Sequence, residues 1–173
     1  MGTQSRAALP PAFRCRLYQR SERRHSRRRG AGFLEAWIEC SRERKGGLGL
    51  RIAEDPFSQE LVAQASYAIK SATLRFLTDC DEMIEAACAG ESFTLARRAE
   101  LRYSSTRSAE LAARAVDRLF ERGGGHAIFW DHPLQRRFQD IKAMSHHTAM
   151  NPDPSARLYG SAQLGVPILD LFL

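Results

Sequence analysis

The chain has 173 residues, a mass of 19.5 kDa, 43% hydrophobic and 27% charged residues, and a net charge of +6. That length suits one domain, the balance of apolar and charged residues excludes a disordered or collagen-like chain, and no apolar run reaches the ~18 residues that a membrane span needs. Nine arginines against the single acid Glu22 give residues 1–30 a charge of +8 and leave −2 for the rest, so the basic pI of about 9.5 belongs to a tail rather than to a folded face that would read nucleic acid.

Residues 1–30 contain Pro10-Pro11, show no helical periodicity and end in Arg27-Arg28-Arg29-Gly30. They read as an Arg-rich disordered tail. A nucleic-acid arm and an organellar transit sequence are the functional alternatives, and the lack of an apolar stripe speaks against the second. Residues 31–173 read as one helical unit. Phe33-Leu34-Glu35-Ala36-Trp37-Ile38 opens a short amphipathic segment that stops near Gly46-Gly47. Asp55-Pro56 then sets an N-cap ahead of a proline at the first helical position. Behind it Phe57, Leu61, Ala65, Ile69, Ala72, Phe76, Cys80 and Met83 recur at three- and four-residue steps, and no Gly or Pro intervenes before Gly90.

A second long helix is expected from near Ser92, with Leu101, Ser105, Ser108, Ala112, Ala115, Leu119 and Phe120 on one stripe. It ends at Gly123-Gly124-Gly125, where a left-handed cap is easiest for glycine. Ala127-Ile128-Phe129-Trp130 is too short to build a sheet. Pro133 opens a helix expected to run to about Met150, and Asp153-Pro154 marks another. The closing stretch 164–173 is apolar and is expected to pack on another part of the protein or on a partner subunit. Long helices with stripes rich in Ala and Ser suit close antiparallel packing. The expected fold is therefore all-α, an up-down helical bundle.

Three features bear on chemistry. Gly123-Gly124-Gly125 either lets backbone N–H groups approach a phosphate or simply stops a helix. In the segment 132–147, taken at ~100° per residue, Leu134, Phe138, Ile141 and Ser145 make the buried face. Arg136, Asp140, Met144 and His147 lie opposite, with Gln135, Gln139, Lys142 and His146 as a polar flank. Asp140 and His147 would stand ~10.5 Å apart along a straight helix, too far for a direct acid–base dyad. His147 is thus either a base oriented from elsewhere or a solvent-facing side chain. His126, His132, His146 and His147 lie close in sequence, yet no HxxxH or HExxH spacing occurs, so no metal site is expected. A GxSxG nucleophile motif is also missing. Cys15, Cys40, Cys80 and Cys88 form no CxxC and read as free thiols of a reducing, cytoplasmic compartment.

The run Ala115-Val116-Asp117-Arg118-Leu119-Phe120, then Gly124-Gly125, Pro133-Leu134-Gln135-Arg136, Asp140, Ala143, His147, Gly160 and Leu164-Gly165 resembles a known family. It looks like the C-terminal domain of flavin-dependent monooxygenases with an acyl-CoA dehydrogenase fold. Such enzymes include the oxygenase components of two-component phenol and 4-hydroxyphenylacetate hydroxylases and the dibenzothiophene monooxygenases. The resemblance covers roughly residues 31–173. It implies a four-helix bundle, the third domain of a three-domain subunit assembled into dimers of dimers. It also implies a separate reductase supplying reduced FMN or FAD, a flavin C4a-hydroperoxide formed with O2, and oxygenation of a small aromatic substrate.

The same resemblance assigns His147, not His146, as base or hydrogen-bond partner near the flavin, and Gly124 and Gly125 to placing the flavin phosphate. Gln139 stands where the family has Arg before its acidic residue. The helical and β-barrel domains that precede this bundle in the family have no counterpart here, so the chain is expected to be incomplete and inactive alone.

Two other readings stand beside this one. An acyl-CoA dehydrogenase fragment is opposed by Thr148-Ala149-Met150 after His147, where those enzymes often carry a catalytic glutamate. A non-catalytic helical oligomerisation module with a basic tail is the second. The expected partners are further copies of the chain, as dimer or tetramer, a flavin reductase and a small aromatic substrate. Neither a membrane nor nucleic acid is expected as a partner.

Overall fold

The computed structural model describes residues 31–47 and 49–167. The Arg-rich segment 1–30 and residues 168–173 lie outside them, and so do the expectations placed there; of the closing apolar stretch only 164–167 are described, with Leu164 and Val166 exposed. Five α-helices account for the described residues: α1 over residues 31–42, α2 Pro56–Ala89, α3 Leu95–Glu121, α4 Pro133–Ser145 and α5 Pro152–Gln163. Short 3-10 turns at Ile52–Glu54, Gly125–Ile128 and Thr148–Met150 join them. The described residues contain no strand, only an isolated bridge between Lys45 and Arg51. The all-α bundle expected from the sequence is the observed fold.

The signals at both ends of α2 act as read. Asp55 Oδ2 accepts the Ser58 N–H at 3.0 Å, Pro56 fills the first helical position, and Gly90 closes the helix at φ 72°, where a side chain would be strained. α3 starts three residues later than expected, because the Thr94 hydroxyl and not Ser92 caps it, accepting the Arg97 N–H at 3.3 Å. α5 starts at Pro152, since the Asn151 side chain accepts the Asp153 N–H at 3.1 Å. α4 ends at Ser145 rather than near Met150: His146 closes it by donating its own N–H to Lys142 O at 3.0 Å.

The middle of the expected α2 stripe is inside: Leu61, Ala65, Ile69 and Ala72 are buried and Phe76 and Cys80 half-buried, while Phe57 and Met83 at its two ends are exposed. Beside it runs a line the stripe does not contain in full, Ser58, Ala65, Ala72, Asp79 and Ala86, buried at intervals of seven. A seven-residue repeat is the 3.5-residue period of a coiled-coil seam. Small residues on it let α3 lie close and antiparallel: Ser104 donates to Asp79 Oδ2, while Arg97 further back pairs with Glu82 further on. α5 runs antiparallel to α3 on another face, fixed by Thr106 Oγ1 against Ser155 Oγ at 2.7 Å and by stacked Tyr103 and Tyr159 rings 5.4 Å apart.

The apolar core lies where α1 and α4 meet the last turns of α3. Phe33, Trp37, Val116, Leu119, Ala127, Leu134 and Ile141 are buried there. The Trp37 indole donates to Leu119 O at 2.6 Å, so a bulky side chain is buried with its one polar group satisfied. Leu134 and Ile141 are buried and Phe138 and Ser145 half-buried on α4, as its wheel predicts. The cysteine expectation holds in part. Cys40 is a free thiol, whereas Cys88 is disulfide-bonded.

Candidate functional site

The glycine turn after α3 is shaped by three different demands. Gly123 is buried, and a Cβ there would stand 2.9 Å from both Phe120 O and Ala127 Cβ, so the close return of the chain requires glycine. Gly124 has φ 79° and ψ 167°, an extended conformation open essentially to glycine alone. It is not the left-handed cap expected from the sequence. Arg122 closes α3 with ordinary helical angles, and the positive φ is spent on turning the chain into the 3-10 segment Gly125–Ile128. Gly125 faces open space.

Arg44, which the sequence reading passed over, lies on this turn. Its Nη1 donates to Gly123 O and its Nη2 to Arg122 O at 2.7 Å. A Cβ on Gly124 would sit 2.7 Å from Nη1. The guanidinium thus covers the carbonyl end of α3, where the helix dipole is negative. Its backbone is pinned by the Ile52 N–H donating to Arg44 O at 2.9 Å. Burial lowers its pKa from the usual arginine value. No ion pair to a carboxylate holds it among the described residues, and its Nε–H is buried without a partner. Two more buried acceptors are unsatisfied among the described residues, Asp117 Oδ1 on α3 and Gln135 Oε1 on α4, although buried polar atoms are nearly always paired.

α4 carries the second half of the candidate site. Its start is capped by the His132 ring, whose Nδ1 accepts the Leu134 N–H at 3.3 Å. It is fixed to α3 by Phe138 stacked on Phe120, with ring centroids 3.9 Å apart, and by Lys142 Nζ on Asp117 Oδ2 at 3.0 Å. His147 is not on α4: it caps the separate turn Thr148–Met150, its Nδ1 accepting the Ala149 N–H at 3.2 Å. It is exposed, as are Asp140 and His146. α4 is 13 residues long, about 20 Å at 1.5 Å per residue. Gly124 and Gly125 precede its start and His147 follows its end. The structure therefore brings Gly124 against Arg44, leaves Gly125 facing open space on the same turn, and puts His147 a helix length away within the same chain.

Nothing local in the run Ser41-Arg42-Glu43-Arg44-Lys45 singles out Arg44, since its partners lie 78 and 79 residues further on. Among the described residues no group of three or more His, Cys, Asp or Glu side chains is placed to hold a metal ion. No helix among them is long and apolar enough to cross a membrane.

Comparison with known proteins gives concordant results. Residues 30–152 match the family model of the acyl-CoA dehydrogenase C-terminal domain. The chain is 32% identical over 117 residues to a pigment production hydroxylase of Rhodococcus erythropolis, covering 68% of this chain and 30% of that protein. It is 30% identical over 141 residues to the flavin-dependent monooxygenase oxygenase subunit HsaA of Rhodococcus jostii strain RHA1, covering 80% of this chain and 37% of that one. The crystal structure of the HsaA monooxygenase from M. tuberculosis superposes with a TM-score of 0.71 at 26% identity, over 83% of this chain and 36% of that chain. The chain thus spans about a third of the length of the relatives it matches.

Proposed function

The chain belongs to the acyl-CoA dehydrogenase C-terminal domain family, and from that premise we propose that it forms the flavin-phosphate and histidine-bearing bundle of a flavin-dependent monooxygenase. The reaction is hydroxylation of a small aromatic substrate with O2 and reduced FMN or FAD, the flavin being delivered by a separate reductase. Cytoplasmic location accompanies this reading. The single observation that carries it is Arg44 on the Gly123–Gly125 turn. A guanidinium with no carboxylate partner among the described residues, whose Nη1 and Nη2 each keep a second N–H beyond the bonds to Gly123 O and Arg122 O, beside a turn that only glycine can make, has the donors and the charge that a phosphate requires.

In this reading Arg44 and the backbone at Gly124 and Gly125 hold the phosphate and fix the position of the ring system. Bound reduced flavin would supply the electrons that activate O2. His147 offers its ring to the reacting end. With Nδ1 accepting from Ala149, the neutral ring carries its proton on Nε2 and presents a hydrogen-bond donor. Because Gly124 and His147 lie at opposite ends of α4, self-association as a dimer or tetramer, with the glycine turn of one copy beside the histidine of another, joins the two halves of the site. Exposed Ile128, Phe129 and Trp130 next to the turn, 60%, 54% and 80% exposed, are apolar surface available for such a contact. The sequence Thr148-Ala149-Met150 supplies no carboxylate for acyl-CoA dehydrogenation.

The test is a chimera in which residues 31–167 replace the matched region of the R. jostii oxygenase subunit, assayed with phenol, a flavin reductase and O2. Hydroxylated product is expected, and His147→Ala should lower its rate at least a hundredfold at unchanged melting temperature. A folded chimera that consumes reduced flavin without forming product, or a His147→Ala variant of normal turnover, overturns the reading.

A further inference from the structure

The two adjacent histidines at the end of α4 are locked in opposite proton arrangements. His146 Nδ1 lies 2.8 Å from Lys142 O. A carbonyl oxygen only accepts, so this ring nitrogen must carry the proton. The Ser145 hydroxyl donates to the same carbonyl at 3.1 Å, leaving its oxygen lone pair toward Nδ1–H at 3.3 Å, and the two contacts agree on one tautomer. With Nδ1 protonated, the Nε2 of neutral His146 is a bare acceptor. His147 is the reverse: its Nδ1 accepts from the Ala149 N–H, so its Nε2 bears the hydrogen. Both rings are exposed on residues whose Cα atoms lie about 3.8 Å apart, so neighbouring positions of the chain carry an acceptor and a donor.

We infer that His146 is the proton-accepting residue of this pair and His147 the hydrogen-bond donor, so that base chemistry on a phenolic hydroxyl falls to His146. This deepens the function proposed above and rests on it. In the step, the substrate O–H bond breaks and an N–H bond forms at His146 Nε2. The electron pair stays on the oxygen, whose negative charge the His147 Nε2–H stabilises, and no electrons change hands. The imidazolium of His146 then returns the proton to water, to which its exposed ring has direct access. Asking His147 to act as the base at Nε2 would require it first to give up the Ala149 hydrogen bond and shift its proton to Nδ1. His146 needs no such rearrangement.

The tautomers are read without any flavin, on the full 173-residue chain labelled with 15N-histidine at a pH where both rings are neutral. Long-range 1H–15N correlation separates Nδ1–H from Nε2–H rings, and His146→Asn and His147→Gln variants assign the signals. The signal lost in His146→Asn should be an Nδ1–H ring and the one lost in His147→Gln an Nε2–H ring. An Nε2–H ring at His146 overturns the proposal.

Turnover in the chimera tests the role. His146→Asn keeps a donor for Lys142 O but has no acceptor at the far ring position. It should lose at least tenfold in product formation, recover on addition of free imidazole, and keep the melting temperature. His147→Gln, which retains a donor in place of Nε2–H, should exceed His147→Ala. Normal turnover of His146→Asn, or loss that imidazole leaves unrepaired, removes His146 from the proton-accepting role. Absence of product from the unsubstituted chimera is a different result. It overturns the monooxygenase reading and the catalytic step with it, while the tautomer pair stands or falls on the spectrum.

Discussion

Along the α2–α3 hairpin polar groups are held several times over. Asp79, 1% exposed, receives Arg75 Nε and the Ser104 hydroxyl, and Arg97 spans Glu82 and Glu100. Around α4 some polar groups are left without any partner: among the described residues the buried unsatisfied side-chain atoms are Arg44 Nε, Asp117 Oδ1 and Gln135 Oε1, on the segment that covers the glycine turn, on α3 and on α4. The hairpin spends its polar groups on itself and serves as a scaffold. The α4 end is well packed in its apolar core but retains donors and acceptors for something else, and that division is what separates a structural region from a site in one small fold.

Substitutions should break this comparison in graded steps. The largest effect is expected from Trp37→Ala, which removes the ring that ties α1 to α3 and orphans Leu119 O. By analogy with large-to-small core changes it should cost about 3–5 kcal/mol, read from denaturant unfolding, and should loosen the glycine turn along with the core. Asp79→Ala strips the hairpin network of its buried carboxylate. Arg75 is half exposed and can rehydrate, so the cost should fall below that of a fully buried pair, at about 2 kcal/mol. Asp117→Asn at the other end should cost less, about 0.5–1 kcal/mol, because it loses only a partly exposed contact with Lys142 from a carboxylate that is already half unsatisfied. Equal losses for the two aspartates would contradict the division.

The smallest effect concerns pH. The hydrogen bond from Arg97, ahead of the opposing effect of burial, holds Glu82 below its ordinary value. A lowered carboxylate contributes stability that is fully present above the unfolded glutamate value of about 4.3 and is lost as pH falls through the lower folded value. Melting temperature should decline through this window, and Glu82→Gln should flatten part of that decline, by a degree or two given the exposure of the pair.

Most of the fold was legible in the sequence because the signals are local. Asp55-Pro56 and Gly90 bound α2 through contacts within four residues, and the periodicity of Leu134, Phe138 and Ile141 fixes the inner face of α4. Boundaries slipped where two candidate caps compete, Ser92 against Thr94 and Asp153 against Asn151. The stripe of α2 was read correctly from Leu61 to Ala72 and missed at its ends, because a 3.5-residue period and a stripe of larger side chains diverge over nine turns, so that Phe57 and Met83 drift out to solvent. Gly124 and Gly125 were named from sequence. Their companion Arg44 was not, because it finds its carbonyl partners across the fold rather than along the chain. The histidine pair was legible as residues but not as chemistry, since only the hydrogen bonds to Lys142 O and from Ala149 N–H separate acceptor from donor.

The central claim, that Arg44 and the glycine turn receive a phosphate, is tested most directly by anaerobic titration of the chain with reduced FMN and with reduced riboflavin, for the wild type and for Arg44→Gln. The account predicts that Arg44→Gln weakens FMN binding at least tenfold and leaves riboflavin binding unchanged, which assigns the lost interaction to the phosphate. FMN binding that is insensitive to the substitution, or riboflavin binding that falls equally, would contradict it.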